Sequence, residues 1–138
     1  MTPEENKARM RYLIEEVQNK GRIELVDELL ADDFVNHTPL KGQNPGREGV
    51  KEYFGKIRSA FPDHDAVVEY QVAERDKVAT YKSFNGTHQG EWYGLPPTGK
   101  KIRIRVFDLV TYRDGKITEH WVVFDEANLR RQIGALPE

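Results

Sequence analysis

Residues Lys101 to Asp125 read KIRIRVFDLVTYRDGKITEHWVVFD, two β-rich arms on either side of Asp114-Gly115. An Asp-Gly pair between alternating apolar runs is a strong hairpin signal, because a two-residue type I′ turn needs positive φ at both positions. With that turn, Arg113 faces Lys116, and an unbroken register then sets Val110 against Glu119, Asp108 against Trp121 and Ile104 against Asp125. Strand side chains alternate between faces, so Ile102, Ile104, Val106, Asp108, Val110 and Tyr112 share one wall with Ile117, Glu119, Trp121, Val123 and Asp125. That wall is apolar except for three carboxylates.

Folding alone favours Val or Ile at such positions, since burying a lone carboxylate is costly. Glu119 and Asp108 are therefore candidate acid/base groups, with structural pairing to a backbone or Arg donor as the alternative. Asp125 closes the second arm and precedes EANLRRQIG, so it also reads as the N-cap of a last helix. Trp121 offers a flat wall to a ring-containing ligand, or plain packing.

The flanking chain supplies helices on one side and a second hairpin on the other. Thr2-Pro3-Glu4-Glu5 is a helix start with a capping box, and Met10, Leu13, Ile14 and Val17 follow at helical spacing until Gly21. A second helix covers roughly Ile23 to Leu30. Ala31 to Leu40, ADDFVNHTPL, breaks the pattern and reads as a loop carrying His37 at its edge. A third helix runs from about Arg47 to Ala60, with Val50, Tyr53, Phe54 and Ile57 on one stripe. Tyr53 reads as core or as a pocket-lining phenol. His64 to Glu74 alternates with Ala66, Val68, Tyr70 and Val72 on one face. After a turn at Arg75-Asp76, a long strand from Lys77 to Trp92 holds Gly86 and Gly90, expected to mark bulges or a bend, with His88 between them. Tyr93 to Lys100 is a Pro-rich connecting loop.

Helices segregated from strands predict a single α+β domain over residues 1–138, a curved antiparallel sheet against three N-terminal helices with a short C-terminal one. Such a sheet leaves a concave interior suited to a small molecule. The 21 basic and 23 acidic residues give a net charge of -2 with no basic stripe, which argues against nucleic acid as partner. No cysteine is present, so thiol-based metal, redox and disulfide chemistry is excluded. No apolar run reaches membrane-spanning length and the N-terminus is not signal-like, so a cytoplasmic protein without membrane contact is expected.

Ala31-Asp-Asp-Phe-Val-Asn-His37, Phe61-Pro-Asp63, Gly86-Thr-His88, Gly94-Leu-Pro-Pro-Thr-Gly-Lys100 and Asp114-Gly-Lys-Ile-Thr-Glu-His-Trp121 occur in this order along almost the whole chain. In this the sequence resembles the SnoaL-like polyketide (ester) cyclases of the nuclear-transport-factor-two-like superfamily. The resemblance implies a cone-shaped fold with a deep pocket and a homodimer joined through the sheet, for which Phe107, Leu109, Val122 and Phe124 offer an apolar outer face. It also implies an aldol-type ring closure of a polyketide ester without metal or cofactor, by a pocket carboxylate helped by a histidine. Glu119 matches the position of that acid, as Glu where the cyclases carry Asp, and His37 and His88 are the histidines nearest the family motifs. From the wall itself, desolvation and the neighbouring negative charge are expected to raise the pKa of at least one of Asp108 and Glu119, so that one removes a proton beside a carbonyl while a protonated partner or histidine stabilises the enolate. This division of roles follows the ketosteroid isomerase pattern, an established case. The expected site is thus Glu119, Asp108 and His88 for chemistry, with His37, Trp121, Tyr53 and Asp125 around a small apolar or aromatic carbonyl or ester ligand. A hydrolase of the same superfamily and a non-catalytic binding module are the alternatives.

Overall fold

A computed structural model describes residues 1–135. Helix α1 (Pro3–Leu13) begins as the capping box requires, with the Thr2 hydroxyl accepting from the Glu5 amide, and continues as a π-helical turn over Ile14–Asn19. Gly21 ends it at φ 77°. A 3-10 turn (Ile23–Leu25) and the short α2 (Val26–Leu29) lead into β1 (Leu30–Asn36). Helix α3 (Arg47–Ala60), β2 (Asp65–Glu74), β3 (Lys77–Thr87), β4 (Lys101–Arg113), β5 (Lys116–Phe124) and α4 (Glu126–Gln132) complete the order.

The five strands form one open sheet in the order β1-β5-β4-β3-β2. It is mixed: β1 runs parallel to β5, while the other pairs are antiparallel. The expected loop at Ala31–Leu40 is therefore mostly an edge strand, hidden in the sequence because Asp32 and Asp33 interrupt its alternation. The α+β class stands, and the purely antiparallel sheet is corrected. The helices cover the inner face, where Met10, Leu13, Ile14, Val17, Leu25, Val26 and Phe34 meet Val78, Val110 and Ile117 in one cluster. A second cluster joins Ile57, Phe61, Phe84, Trp92, Ile102, Ile104 and Leu129.

The Asp114-Gly115 turn forms as expected, at φ 51° and 79°, and Arg113 faces Lys116. One step further the register departs from the expected one. Tyr112 faces Ile117, but Thr111 faces Glu119, so Thr118 is an extra residue in β5, its hydroxyl donating to the Thr111 carbonyl at 3.2 Å. A one-residue slip moves every later side chain to the opposite face. The β4 wall stays as predicted, with Ile102, Ile104, Val106, Asp108, Val110 and Tyr112 all buried. On β5, however, His120, Val122 and Phe124 face inward, while the side chains of Glu119, Trp121 and the exposed Val123 turn to the other face, Val123 still bordering the cavity. A second shift between Val68 and Tyr70 does the same on β2: Ala66 is buried, but Tyr70 and Val72 are exposed.

Gly86 and Gly90 mark a close approach instead of bulges, since β3 and β4 pair without a shift from Lys77 to Thr87. A Cβ at Gly90 would lie 2.3 Å from the Ser59 carbonyl oxygen, and Gly90 N–H bonds the Ala60 carbonyl at 3.1 Å. Helix α3 thus ends hard against the segment after β3. Gly90→Ala is expected to lower stability by about 1–3 kcal/mol through this overpacking, with an unchanged m-value, as read from urea unfolding.

Candidate active site

The inner face encloses a cavity of about 330 Å³, towards the small end of the range for ligand pockets. Tyr53, Phe54, Phe61, Phe84, Trp92 and Phe124 give it an aromatic wall. Against this, a row of polar side chains crosses the sheet: Lys82 on β3, Asp108 on β4, His120 on β5 and Asn36 on β1, with Gln18 reaching in from the π-helical turn.

Asp108 is the centre of this row. It is 4% exposed, with His120 Nε2 2.6 Å from Oδ1 and Lys82 Nζ 2.8 Å from Oδ2. The Lys82 contact is a charge contact, for Oδ2 has no aligned donor. Burial pushes the Asp108 carboxyl up, but Lys82 and His120 outweigh it and hold the group well below the ordinary 3.8. Asp108 is thus ionised, opposite to the raised pKa expected for a carboxylate pair. The expected pair does not exist, because Glu119 is on the other side of the sheet.

A carboxylate can only accept, so His120 donates through Nε2 and its Nδ1 keeps the lone pair when the ring is neutral. Nδ1 has no hydrogen-bond partner among the described residues, and the His120 side chain is 22% exposed. Lys82 is nearly buried and also donates to Gln18 Oε1 at 3.0 Å. The π-helical turn shapes this corner: His64 bridges the Phe61 and Gln18 carbonyls at 2.8 and 2.7 Å, fixing the backbone of Gln18. Such turns inside helices are frequent at functional sites.

Of the expected residues, Asp108 and Tyr53 line this cavity. Burial raises the Tyr53 phenol above 10.0, with Tyr93 and Asp108 adding to the shift, so it stays protonated as a potential donor. Glu119, His37 and Trp121 gather elsewhere, on the outer face. His37 Nε2 lies 2.9 Å from Glu119 Oε2 and its ring stacks on Trp121 at 4.5 Å, with both side chains of the ion pair more than a third exposed. The Thr118 bulge puts them there. Asp125 is the N-cap of α4, accepting from Asn128 N–H, and does not reach the cavity. His88 is fully buried beyond the end of β3. Its Nδ1 lies 3.0 Å from Thr98 Oγ1 and its ring packs 5.5 Å from Phe61, so it pins the Pro-rich loop and does not line the cavity.

Four residues of this polar row escaped sequence reasoning: His120, Lys82, Asn36 and Gln18. Lys82 carried a usable signal, since it falls in phase with Val78, Thr80 and Phe84 on the inward side of β3, where a lysine needs a buried counter-ion. No three His, Asp or Glu side chains converge among the described residues, so the site offers a metal no ligand cluster.

An open mixed sheet with helices on one face, carrying an acid–histidine–lysine row in its hollow, defines a fold of the cone-shaped class. A sequence profile of the SnoaL-like polyketide cyclases matches residues 8–133, and the chain belongs to this family. Nogalonic acid methyl ester cyclase of Streptomyces nogalater is 30% identical over 118 residues, covering 84% of this chain and 88% of that protein. IdmH of Streptomyces antibioticus, a candidate polyketide cyclase, is 34% identical with a TM-score of 0.81, over 94% of this chain and 98% of that one. AclR of Streptomyces galilaeus, a candidate hydroxylase, is 26% identical with a TM-score of 0.88, over 99% of this chain and 89% of that one. Relatives with different assigned reactions leave the chemistry to be argued from this site. No helix among the described residues is long and apolar enough to cross a membrane.

Asp108→Asn is expected to strand the Lys82 charge and cost about 3–5 kcal/mol at neutral pH. In the wild type, the depressed Asp108 contributes stability that is whole above the unfolded value of 3.8 and is lost as pH falls below it towards the folded value. Chemical unfolding from pH 7 to pH 2 should therefore show a shallower acid decline in the variant.

Proposed function

We propose that this protein is a cofactor-free acid–base catalyst of the cyclase type. It removes a proton beside a carbonyl of an apolar, ring-containing ketone or ester and drives an aldol-type ring closure. The observation that carries this reading is the 2.6 Å contact between His120 and the ionised Asp108, which leaves His120 Nδ1 free at the cavity wall.

In the proposed sequence His120 Nδ1 takes the α-proton, and the C–H electrons move to the carbonyl oxygen as an enolate. Asp108 holds the ring in the productive tautomer and stabilises the imidazolium. Lys82 has three N–H donors; one goes to Gln18 and one faces Asp108, so the third is available to the oxyanion. The enolate carbon then forms a bond to a second carbonyl carbon, and the His120 imidazolium returns its proton to the new alkoxide. Oxidation states balance within the substrate, so the sequence needs no redox partner. Similarity to nogalonic acid methyl ester cyclase supports a polyketide-like ester as the ligand class.

The assembly we favour is a homodimer joined through the outer sheet face. Tyr70, Phe107 and Val123 are 72%, 55% and 68% exposed there, and Tyr81 stacks on Phe107 at 4.7 Å. A contiguous exposed apolar patch of this kind suits a protein partner. Val123→Asp should shift sedimentation from dimer to monomer; a monomeric wild type at micromolar concentration would remove the proposal.

The chemistry is tested with 1-tetralone in D2O, reading α-deuterium incorporation by NMR. His120→Gln should slow enzyme-dependent exchange by roughly 10²–10⁴-fold. Glu119→Gln should leave it unchanged. Exchange that survives in the His120 variant and disappears in the Glu119 variant would return the acid–base role to Glu119.

A further inference from the structure

His64 is buried in a corner where two helices end, outside the cavity lining. Its ring Nδ1 lies 2.8 Å from the Phe61 carbonyl oxygen and its Nε2 lies 2.7 Å from the Gln18 carbonyl oxygen. A carbonyl oxygen can only accept, so each contact needs a hydrogen on the ring nitrogen that meets it. A neutral imidazole carries one such hydrogen, and only the imidazolium carries two. In a neutral ring, one nitrogen lone pair would face a carbonyl lone pair at hydrogen-bond distance with no water to intervene. The two contacts together are those of a cation.

The corner suits a positive charge. Gln18 lies one residue before the end of the π-helical turn, and Phe61 caps the C-terminal end of α3. The last carbonyls of a helix lack intrahelical donors and carry the negative end of its dipole. His64 thus stands between two helix C-termini, and its backbone N–H adds a 2.9 Å bond to the same Phe61 oxygen. Its ring stacks on Phe84 of β3 at 5.4 Å. The charged side chains on the surrounding elements are engaged elsewhere or turned to solvent. Glu16 on the turn pairs with Lys20 and Arg22 at 2.8 and 3.3 Å, and Arg58 on α3 donates to the Asn19 carbonyl at 2.8 Å. Asp63 accepts from the Thr87 N–H and hydroxyl at 2.7 and 2.6 Å, while Glu15 and Asp65 are exposed. Lys82 on β3 is taken by Asp108 and by Gln18 Oε1. Gln18 therefore links the two systems: its backbone carbonyl is held by His64 and its side chain holds Lys82.

We propose that His64 is a buried imidazolium clamp and a positioning residue for the polar row. With both ring protons it ties the end of the first helix to the end of α3, and so fixes Gln18 and, through it, the Lys82 ammonium beside Asp108. When pH rises and one ring proton leaves, one of the two carbonyl bonds is lost and Gln18 is released. The effect on chemistry rests on the acid–base reading; the charge on the ring does not. His120 must be neutral to take a proton and His64 must be charged to hold the row, so turnover rises with pH and then falls again.

Histidine 15N NMR reads the ring charge directly, with His64 assigned through its contact with the Phe84 ring. Near neutral pH its two nitrogens should show closely matching shifts, each carrying a proton protected from exchange. A widely split pair with a single N–H overturns the clamp, and this measurement on the wild type needs no variant to fold. Positioning is read from enzyme-dependent 1-tetralone exchange across pH, after subtraction of the hydroxide-catalysed background. The wild type should lose exchange at alkaline pH as the second His64 proton leaves. A glutamine places its Nε2 where His64 Nε2 lies, so His64→Gln keeps a donor to the Gln18 carbonyl that does not titrate, and the alkaline fall should vanish. An asparagine reproduces Nδ1 alone, so His64→Asn should lower exchange roughly ten- to hundredfold near neutrality. An alkaline fall that persists in His64→Gln, or full exchange in His64→Asn, removes the positioning role even with a charged ring. If the ring is doubly protonated but exchange ignores His120, the charge on His64 stands and the proton-transfer reading falls.

Discussion

The buried carboxylate of Asp108 is the constraint around which the rest of the structure is arranged. An ionised group at that depth is tolerable only with compensation on both oxygens, and the fold brings a lysine from one neighbouring strand and a histidine from the other. Lys82 in turn needs an acceptor, which Gln18 provides, and Gln18 is presented by a helical turn widened to the π form and held by His64. The polar row is thus a chain of obligations, each group present because the one before it cannot be left unpaired. The ends of that chain without a protein partner among the described residues are His120 Nδ1, a third lysine N–H and two amide NH2 groups.

A single extra residue makes this arrangement possible. Thr118 bulges out of β5, and the parity of every later side chain reverses. Without the reversal Asp108 would have no histidine, and Glu119 would add a second negative charge to the same hollow. With it, Glu119 pairs with His37 on the outer face and the two ionised groups are separated by the sheet. On the proposed chemistry the site is therefore an acid–base dyad whose carboxylate Lys82 and His120 hold ionised, in contrast to two carboxyls sharing protons. For a base that must accept a proton near neutrality, an ionised partner that fixes the tautomer is the more direct solution.

The bulge also explains why sequence reasoning found the strand but not its inward side chains. Residues 121–124 are apolar in both phases, Trp121 and Val123 as well as Val122 and Phe124, because both faces of this part of the sheet carry apolar surface. Alternation cannot choose a register there, and Thr118 is not a glycine that would announce an irregularity. The same holds on β2, where Val68 and Tyr70 belong to different faces although their spacing is even. On β4 the phase was legible, since Arg103 and Arg105 alternate with Ile102, Ile104 and Val106, and all of its inward residues were read correctly. Glycines misled in the other direction: Gly86 and Gly90 suggested bulges, but they are small because the end of α3 and the corner after it press against them.

From the sequence alone came the Asp114-Gly115 turn, the capping box of α1, the helix that carries Tyr53, the inward face of β4 with Asp108 on it, and the family. Each of these is local, set by φ preferences, caps or an unambiguous period. Which β5 residues meet Asp108, that β1 lies parallel beside them, and which way the Asn36 and Gln18 amides turn were decided only by the tertiary structure. Those features depend on strand pairing across long stretches of chain and on donors that must find acceptors once water has been excluded, and neither is written in the pattern of any one segment.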